Sequence, residues 1–589
     1  MPEQKTPDTL ISLQSCLKQY TFDQDKACSP TETVNRFLMR LKQVNLDILK
    51  EIKRIDTGRL EIPVYFSVCG ADAQAVIGNK KQMGKGSTPE QARASACMEL
   101  AERFSFFSFL QNPANYLYGD YAQMEHDGFP VMSMETLLQS VHDTSHSTEL
   151  LRELLQDIPM QWVWALNLSD DKPVLVPFSW FYAINEFNGP AAGNTYEEAA
   201  LQGICEIVER HVCAIIAREE IPVPQIALES ITDPVARGLL NKFAAQGIEL
   251  RLFDFSLDTG IPTIGALAWD PSTFPDKSEI VYTAGTTPGV NKAIIRAITE
   301  VAQLAGDFNS ASNYVASGLP KPLALDEVAY LLESPLCRSV SEINDLQSAD
   351  IYKEIQNCVQ RLKEIGLDVC LVNTKHPQLQ IPALYTIVPG AHFRERAMGG
   401  NAVLFAAKLA SSLLEGAARE DKFTTMQALV PEDYSLFFYR GQQAYERGDF
   451  AAAHTFFAQA LALPCPEEDK PYLYSYLASC LRDLGRYEEA IDALYKGLAY
   501  DEARPDMHNI MGVCLYHLGR YQEAVTHFKR AVALNPVSAI DYANLALNME
   551  CSGDLLAARL NYEIALSLDD SIAFAAEHLA ALTAIQEKE

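Results

Sequence analysis

The segment Leu484-Gly-Arg-Tyr-Glu-Glu-Ala490 returns 34 residues later as Leu518-Gly-Arg-Tyr-Gln-Glu-Ala524. Gly553 and Ala558 fall a further 34 residues on, as do Tyr562 after Phe528 and Ala565 after Ala531. Gly448, Ala453 and Phe457 form an earlier copy, three residues out of step across Pro464-Cys-Pro-Glu-Glu468, and Asn535-Pro536 ends the third repeat. A fixed period of this length leaves few folds open. Each unit is too short to bury its own apolar face, so successive units must stack. Small residues at the Gly and Ala positions let paired helices approach closely, and four stacked pairs over residues 433–583 bury one continuous core.

The chain ahead of that array carries a different repetition. Ser95-Ala-Cys-Met-Glu99-Leu-Ala-Glu102-Arg103 is echoed by Gln202-Gly-Ile-Cys-Glu206-Ile-Val-Glu209-Arg210, and Arg296-Ala-Ile-Thr-Glu300 gives a partial third copy. Helical spacing puts Ser95, Glu99 and Glu102 on one stripe, and Gln202, Glu206 and Glu209 on another. The other faces are apolar, with Leu100, Phe104 and Phe107 in the first and Ile204, Ile207 and Val212 in the second. An isolated buried charge is costly even after relaxation, so each glutamate requires an arginine, a lysine or a metal ion. Either copy alone also reads as a helix tied down by Glu–Arg bridges. Five glutamates on three like helices instead favour a hard divalent cation, because Mg²⁺ binds through a few carboxylates together with substrate phosphates. Gly84-Lys85-Gly86 precedes the first helix and Gly189-Pro-Ala-Ala-Gly193 the second. Glycines at a helix N-terminus let backbone N–H groups approach a phosphate.

These three signatures resemble those of the YcaO family over roughly residues 20–415, and the C-terminal array resembles the tetratricopeptide repeat. The resemblance implies an α/β (α+β) ATP-binding domain with sheets and helices around a central cleft, followed by an all-α solenoid. It implies ATP and Mg²⁺ as cofactors, with the metal on Glu99, Glu102, Glu206 and Glu300. The implied nucleotide site takes Lys85, Ser95, Gln202, Glu206, Glu209 and Arg296 from the signatures and their loops. It adds Lys26 and Thr33, seven positions apart, together with Asn194 and Arg218. By themselves these last four are equally a surface lysine, two helix-capping residues and an exposed arginine. Lys85, Arg296 and Glu206 are the expected catalytic residues, the two cations neutralising charge on the transferred phosphoryl group. His211 is expected to be a packed core histidine. Residues 1–60 are expected to contribute to the nucleotide site, 61–418 to form the catalytic domain and 419–432 a linker.

The activity so implied is ATP-dependent O-phosphorylation of a peptide or protein backbone amide. A nucleophile adds to the amide carbon and the oxygen departs as phosphate, giving an azoline, a thioamide or an amidine. Azoline-forming relatives often end in a proline-rich tail, whereas this chain ends Ala-Ile-Gln-Glu-Lys-Glu589, and no ThiF-like peptide-docking partner is fused to it. That leans toward thioamidation or the methylthiolation-accessory type. The alternatives are an azoline-forming cyclodehydratase and a nucleotide-binding adaptor without catalysis. Expected partners are a peptide or protein in the repeat groove, a sulfur-donor or accessory protein, and a second copy of the chain.

A net charge of −29 leaves no general basic face for nucleic acid or an anionic membrane. Thirteen cysteines without a C-x-x-C pair fit reduced thiols, and no apolar run reaches bilayer length, so a cytoplasmic protein is expected. Local pattern predicts a loosely held segment over 1–30, a helix over 31–48, and a strand at 62–69 paired with another at 71–77. It further predicts one acidic helix over 134–155, a hairpin about 169–172, an insertion at 318–350 and a helix over 351–366.

Overall fold

A computed structural model describes residues 10–78, 82–310, 314–316, 318–394 and 400–586. The chain divides into two compact units, Met1–Asn401 and Ala402–Glu589.

The first unit is built on three sheets. Leu49–Arg54, Val64–Cys69 and Gln82–Lys85 form an antiparallel three-stranded sheet. A five-stranded sheet runs Val281–Thr286, Thr263–Trp269, Glu249–Asp254, Gln225–Ile226 and Cys337–Arg338, its last pair parallel. In the third, Met160–Asn167 pairs with Leu117–Gly119, Cys370–Asn373 and the hairpin strand Lys172–Pro177, and Ala383–Ile387 links Cys370–Asn373 to Pro190–Ala192.

The three signature helices, Pro89–Gln111, Tyr196–Glu219 and Val290–Ala305, each lie against a strand. Glycine makes that approach possible. A Cβ on Gly84 would stand 2.1 Å from the Ala96 nitrogen, one on Gly285 2.5 Å from the Ala297 nitrogen, and one on Gly203 2.2 Å from the Thr386 hydroxyl. The signature residues are thereby pressed toward the sheets rather than floating on long side chains. Gly84→Val is expected to force the first helix off its strand. Overpacking of this kind costs about 1–3 kcal/mol, to be read as a lower unfolding temperature for this unit and no change in the repeat unit.

Several elements differ from the sequence-based expectation. Ala71–Ile77 is a helix, not a strand: Asp47 gathers the N–H groups of Ala71, Asp72 and Ala73 with its carboxylate and carbonyl, which is how a helix start is satisfied. The acidic stretch splits into Met134–Ser140 and Thr148–Leu155, because the Asp143 carboxylate takes the Ser145 and His146 N–H groups and Ser147 caps a new start. The helix expected over 31–48 is Pro30–Gln43, capped by Ser29 rather than Thr33. Residues 1–9 lie outside the described part. From Ile11 onward, however, the supposedly loose segment is an arm sewn to the body. Cys16 accepts the Ile351 N–H at 2.9 Å and donates its own to Asp350 at 2.8 Å, and Lys18 pairs with Glu354 at 2.5 Å and Asp25 at 2.8 Å. The 318–350 stretch contributes the edge strand Cys337–Arg338.

In the second unit the expected pairs are Tyr434–Glu446 with Phe450–Ala462, Lys470–Asp483 with Tyr487–Leu498, Pro505–His517 with Tyr521–Leu534, and Ala539–Cys551 with Leu555–Leu568. Gly448, Gly485, Gly519 and Gly553, at φ +73° to +91°, follow the first helix of each pair, where a left-handed residue turns the chain. Phe457, Phe528 and Tyr562 fill the equivalent core position. Ala573–Gln586 closes the stack; residues 587–589 of the C-terminal tail lie outside the described part. The expected linker is largely helical, Gly416–Leu429. Ala402–Leu413, inside the 61–418 span expected for the catalytic domain, belongs to the second unit and packs on Tyr434–Glu446.

Candidate active site

The three signature helices and the arm enclose a cleft of about 370 Å³ in the first unit. Its wall includes Lys26, Thr33, Lys85, Ser95, Asn194, Gln202, Glu206, Glu209 and Arg296, together with Glu99, Glu102 and Glu300. Segments some two hundred residues apart in sequence thus meet at one site. Arg218 does not join them. It lies about 24 Å along the helix from Gln202, exposed, next to His142 and His392.

Charge is unevenly met inside the cleft. Lys85 forms an ion pair with Glu300. Arg296 donates to the Gln202 amide oxygen at 2.9 Å and stands 3.9 Å from Glu209, whose carboxylate also accepts the Thr286 N–H at 3.1 Å. Glu102 and Glu206 lie 3.5 and 3.8 Å from Arg103 and Arg210, too far for good hydrogen bonds. Burial therefore dominates. It pushes Glu99 up to about 7 against the pull of Arg103 and Lys85. Glu102 and Glu206 are raised for the same reason, again against their arginines. Burial, with Arg296 beside it, brings Lys85 down to about 7.

A set of acids held above their usual range is one that a cation would relieve. Among the described residues, no three His, Cys, Asp or Glu side chains close on one point. Mg²⁺ takes one or two carboxylates and completes its shell with phosphate oxygens and water. Glu99, Glu102 and Glu206 line the cleft, and Glu300 there is paired with Lys85.

Glu198, which the sequence does not single out, also lines the cleft, as do Arg103 and Arg210 of the signatures. Glu198 is buried; it accepts the Ala27 N–H at 2.5 Å and, from Asn194, the backbone N–H at 2.8 Å and the side-chain amide at 2.9 Å. Asn194 also donates to the Thr33 hydroxyl at 3.0 Å, so arm, loop and helix form one network. The signal was present: Glu198 stands four residues after Asn194 and four before Gln202, on the same stripe. Of Asn194 and Thr195, the two residues that the sequence offers as caps of the second signature helix, Thr195 caps it. His211 is buried, as expected of a core histidine, and its Nδ1 accepts the His392 N–H at 3.1 Å.

Comparison with known proteins bears on this geometry. The YcaO family model, described as an ATP- and Mg²⁺-binding cyclodehydratase, matches residues 83–392, and a tetratricopeptide-repeat model matches 438–508 and 481–539. An uncharacterized protein of Methanothermobacter thermautotrophicus is 28% identical over 385 residues, covering 62% of this chain and 94% of its own length. The ribosomal protein S12 methylthiotransferase accessory factor YcaO of Escherichia coli is 26% identical over 303 residues, 48% of this chain and half of that protein. A solved heterocyclase, in complex with substrate and cofactor, shares the fold with a TM-score of 0.52 at 22% identity, over 65% of this chain and 54% of its own. Among the described residues, no helix is long and apolar enough to cross a membrane.

Proposed function

The chain belongs to the YcaO family, and on that premise we propose that it activates a backbone amide of a peptide or protein by phosphorylating the amide oxygen. The observation that carries this reading is the meeting of Glu99, Glu102 and Glu206 with Lys85 and Arg296 in one cleft. Bound ATP with Mg²⁺ supplies a transferable phosphoryl group, which makes the amide oxygen able to leave as phosphate. The residues divide the remaining work. Glu99, Glu102 and Glu206 would share the Mg²⁺ ions, one or two carboxylates to each. Arg296, fixed by Gln202 and Glu209, and Lys85, released from Glu300, neutralise charge that builds on the phosphoryl oxygens. Lys26, Thr33, Ser95 and Asn194 line the cleft and bind the nucleotide.

The nucleophile we favour is a sulfur species, giving a thioamide or serving a methylthiolation system; the accessory-factor name of the Escherichia coli relative supports this. Azoline formation is the second reading, favoured by the cyclodehydratase description of the family. The repeats would recruit the peptide or an accessory protein, or pair two copies of the chain. Phosphate release from ATP by the purified chain, with candidate peptides and with or without sulfide, separates these readings. We expect ATP consumption that rises with peptide and a product in which sulfur replaces one amide oxygen. A product lighter by one water identifies the azoline route. ATP uptake with no peptide-stimulated phosphate release would defeat the enzymatic proposal and leave an adaptor.

A further inference from the structure

The arm that brings Lys26 to the cleft is fixed by a carboxylate with no part in the chemistry above. Asp23 is fully buried, and it is not among the residues that line the cleft. Its Oδ2 accepts the Ser87 hydroxyl at 2.6 Å and the Ser87 N–H at 3.3 Å, while its Oδ1 accepts the Tyr20 hydroxyl at 2.8 Å. Ser87 directly follows Gly84-Lys85-Gly86. One carboxylate therefore joins two chain segments that each carry a lysine into the cleft, Lys26 three residues beyond Asp23 and Lys85 two residues before Ser87.

Lys85 ends the strand Gln82–Lys85, opposite Val64, and Gly86-Ser87-Thr88 connects it to the first helix; the Ser87 hydroxyl ties that connecting loop to the arm. The arm is pinned on its other side: the buried Lys292 ammonium donates to the Thr21 and Phe22 carbonyls at 2.7 Å each, one helical turn before Arg296. Asp23 is thus the point at which the Lys26 segment, the Lys85 loop and, through the adjoining carbonyls, the third signature helix are held in register.

We propose that Asp23 is a positioning residue for nucleotide binding, setting the spacing of Lys26 and Lys85 through Ser87 before the nucleotide arrives. The inference rests on the reading of the cleft as a nucleotide site. Cations ordered in advance lose less freedom on binding, so the link is expressed as affinity.

Calorimetric titration of the full chain with ATP and Mg²⁺ tests it, using Ser87→Ala, Ser87→Thr, Asp23→Asn and the Asp23→Asn/Ser87→Ala pair. Ser87→Ala is expected to weaken binding roughly tenfold, as loss of a hydrogen bond to a charged group implies. Ser87→Thr, which keeps the hydroxyl, should restore it. The double variant should bind no worse than Asp23→Asn alone, since both changes break one link. A role in stability alone would lower the unfolding temperature of Ser87→Ala and leave the ATP affinity of the folded chain unchanged. Wild-type affinity retained in Ser87→Ala, or two losses that simply add, would overturn the inference alone. A wild-type chain that takes up no ATP would remove the reading of the cleft and the inference with it. Ser87 is partly exposed, so its variants are informative even where Asp23→Asn folds poorly.

Discussion

Glu206→Gln is expected to cut Mg²⁺-dependent ATP turnover by roughly 10²–10³-fold, the scale for removing one preorganised electrostatic group, and to make the ligand-free protein more stable. The two effects have one cause. The Glu206 carboxyl is raised above its usual range by burial and by Glu209, with Arg210 and Arg103 only partly offsetting them. An acid whose folded pKa lies above its unfolded value destabilises the fold once the pH passes the unfolded value, because the native state must then carry a charge it disfavours. Glutamine keeps the shape and removes the charge. At pH 7.5 the ligand-free variant should therefore melt above wild type. ATP with Mg²⁺ should stabilise wild type strongly and the variant little, since only the former gains a cation against this oxygen. Thermal unfolding with and without ligand, beside a phosphate-release assay, checks both halves. A variant that turns over ATP normally, or is less stable without ligand, would show that Glu206 serves the fold and not the metal.

The signature residues were legible because their pattern is local. A stripe of polar groups at helical spacing on an otherwise apolar helix declares a face, whatever that face meets. The glycines before each helix carried a related message, and the close approaches at Gly84, Gly203 and Gly285 give it a physical reason. What stayed hidden depends on distant partners. Lys18 pairs with a glutamate 336 residues away, so nothing near it in sequence marks the arm as ordered. Ala71–Ile77 is a helix because of Asp47, and Glu198 matters because Ala27 and Asn194 bring it their N–H groups. Arg218 shows the reverse limit. An offset along a helix fixes a distance, not the side of the sheet on which the residue emerges, and this one emerges beside His142 and His392.

Those histidines define the second large effect, a loss of stability of the first unit on mild acidification. His142 and His392 stack with parallel rings, 3.9 Å between centroids and 2° between planes, and His211 lies 5.2 Å from His392. The His392 backbone N–H donates to His211 Nδ1, so that ring nitrogen is unprotonated in the native state. Burial, together with the other imidazoles and Arg218, brings His392 down to about 3. Burial and His142, against the weaker opposite pull of Asp258, bring His211 down to about 4. His142 is lowered as well, by burial and Arg218, although a hydrogen bond with Ala391 opposes this. A base whose folded pKa is depressed binds fewer protons native than unfolded, so stability rises with pH through the window between the two values and is lost as pH falls below about 6.5. Each histidine contributes at most about 1.4 kcal/mol per pH unit there. The raised glutamates of the cleft work in the opposite direction, so the measurement belongs in the presence of ATP and Mg²⁺ or on a Glu206→Gln background. Urea unfolding of the first unit at pH 4.5, 5.5, 6.5 and 7.5 should show the slope in the parent and a flatter one in His392→Phe, which keeps a ring in the stack but cannot take up a proton. Equal slopes would mean that the imidazoles already carry protons in the native state and that their stacking, not their neutrality, shapes this corner of the fold.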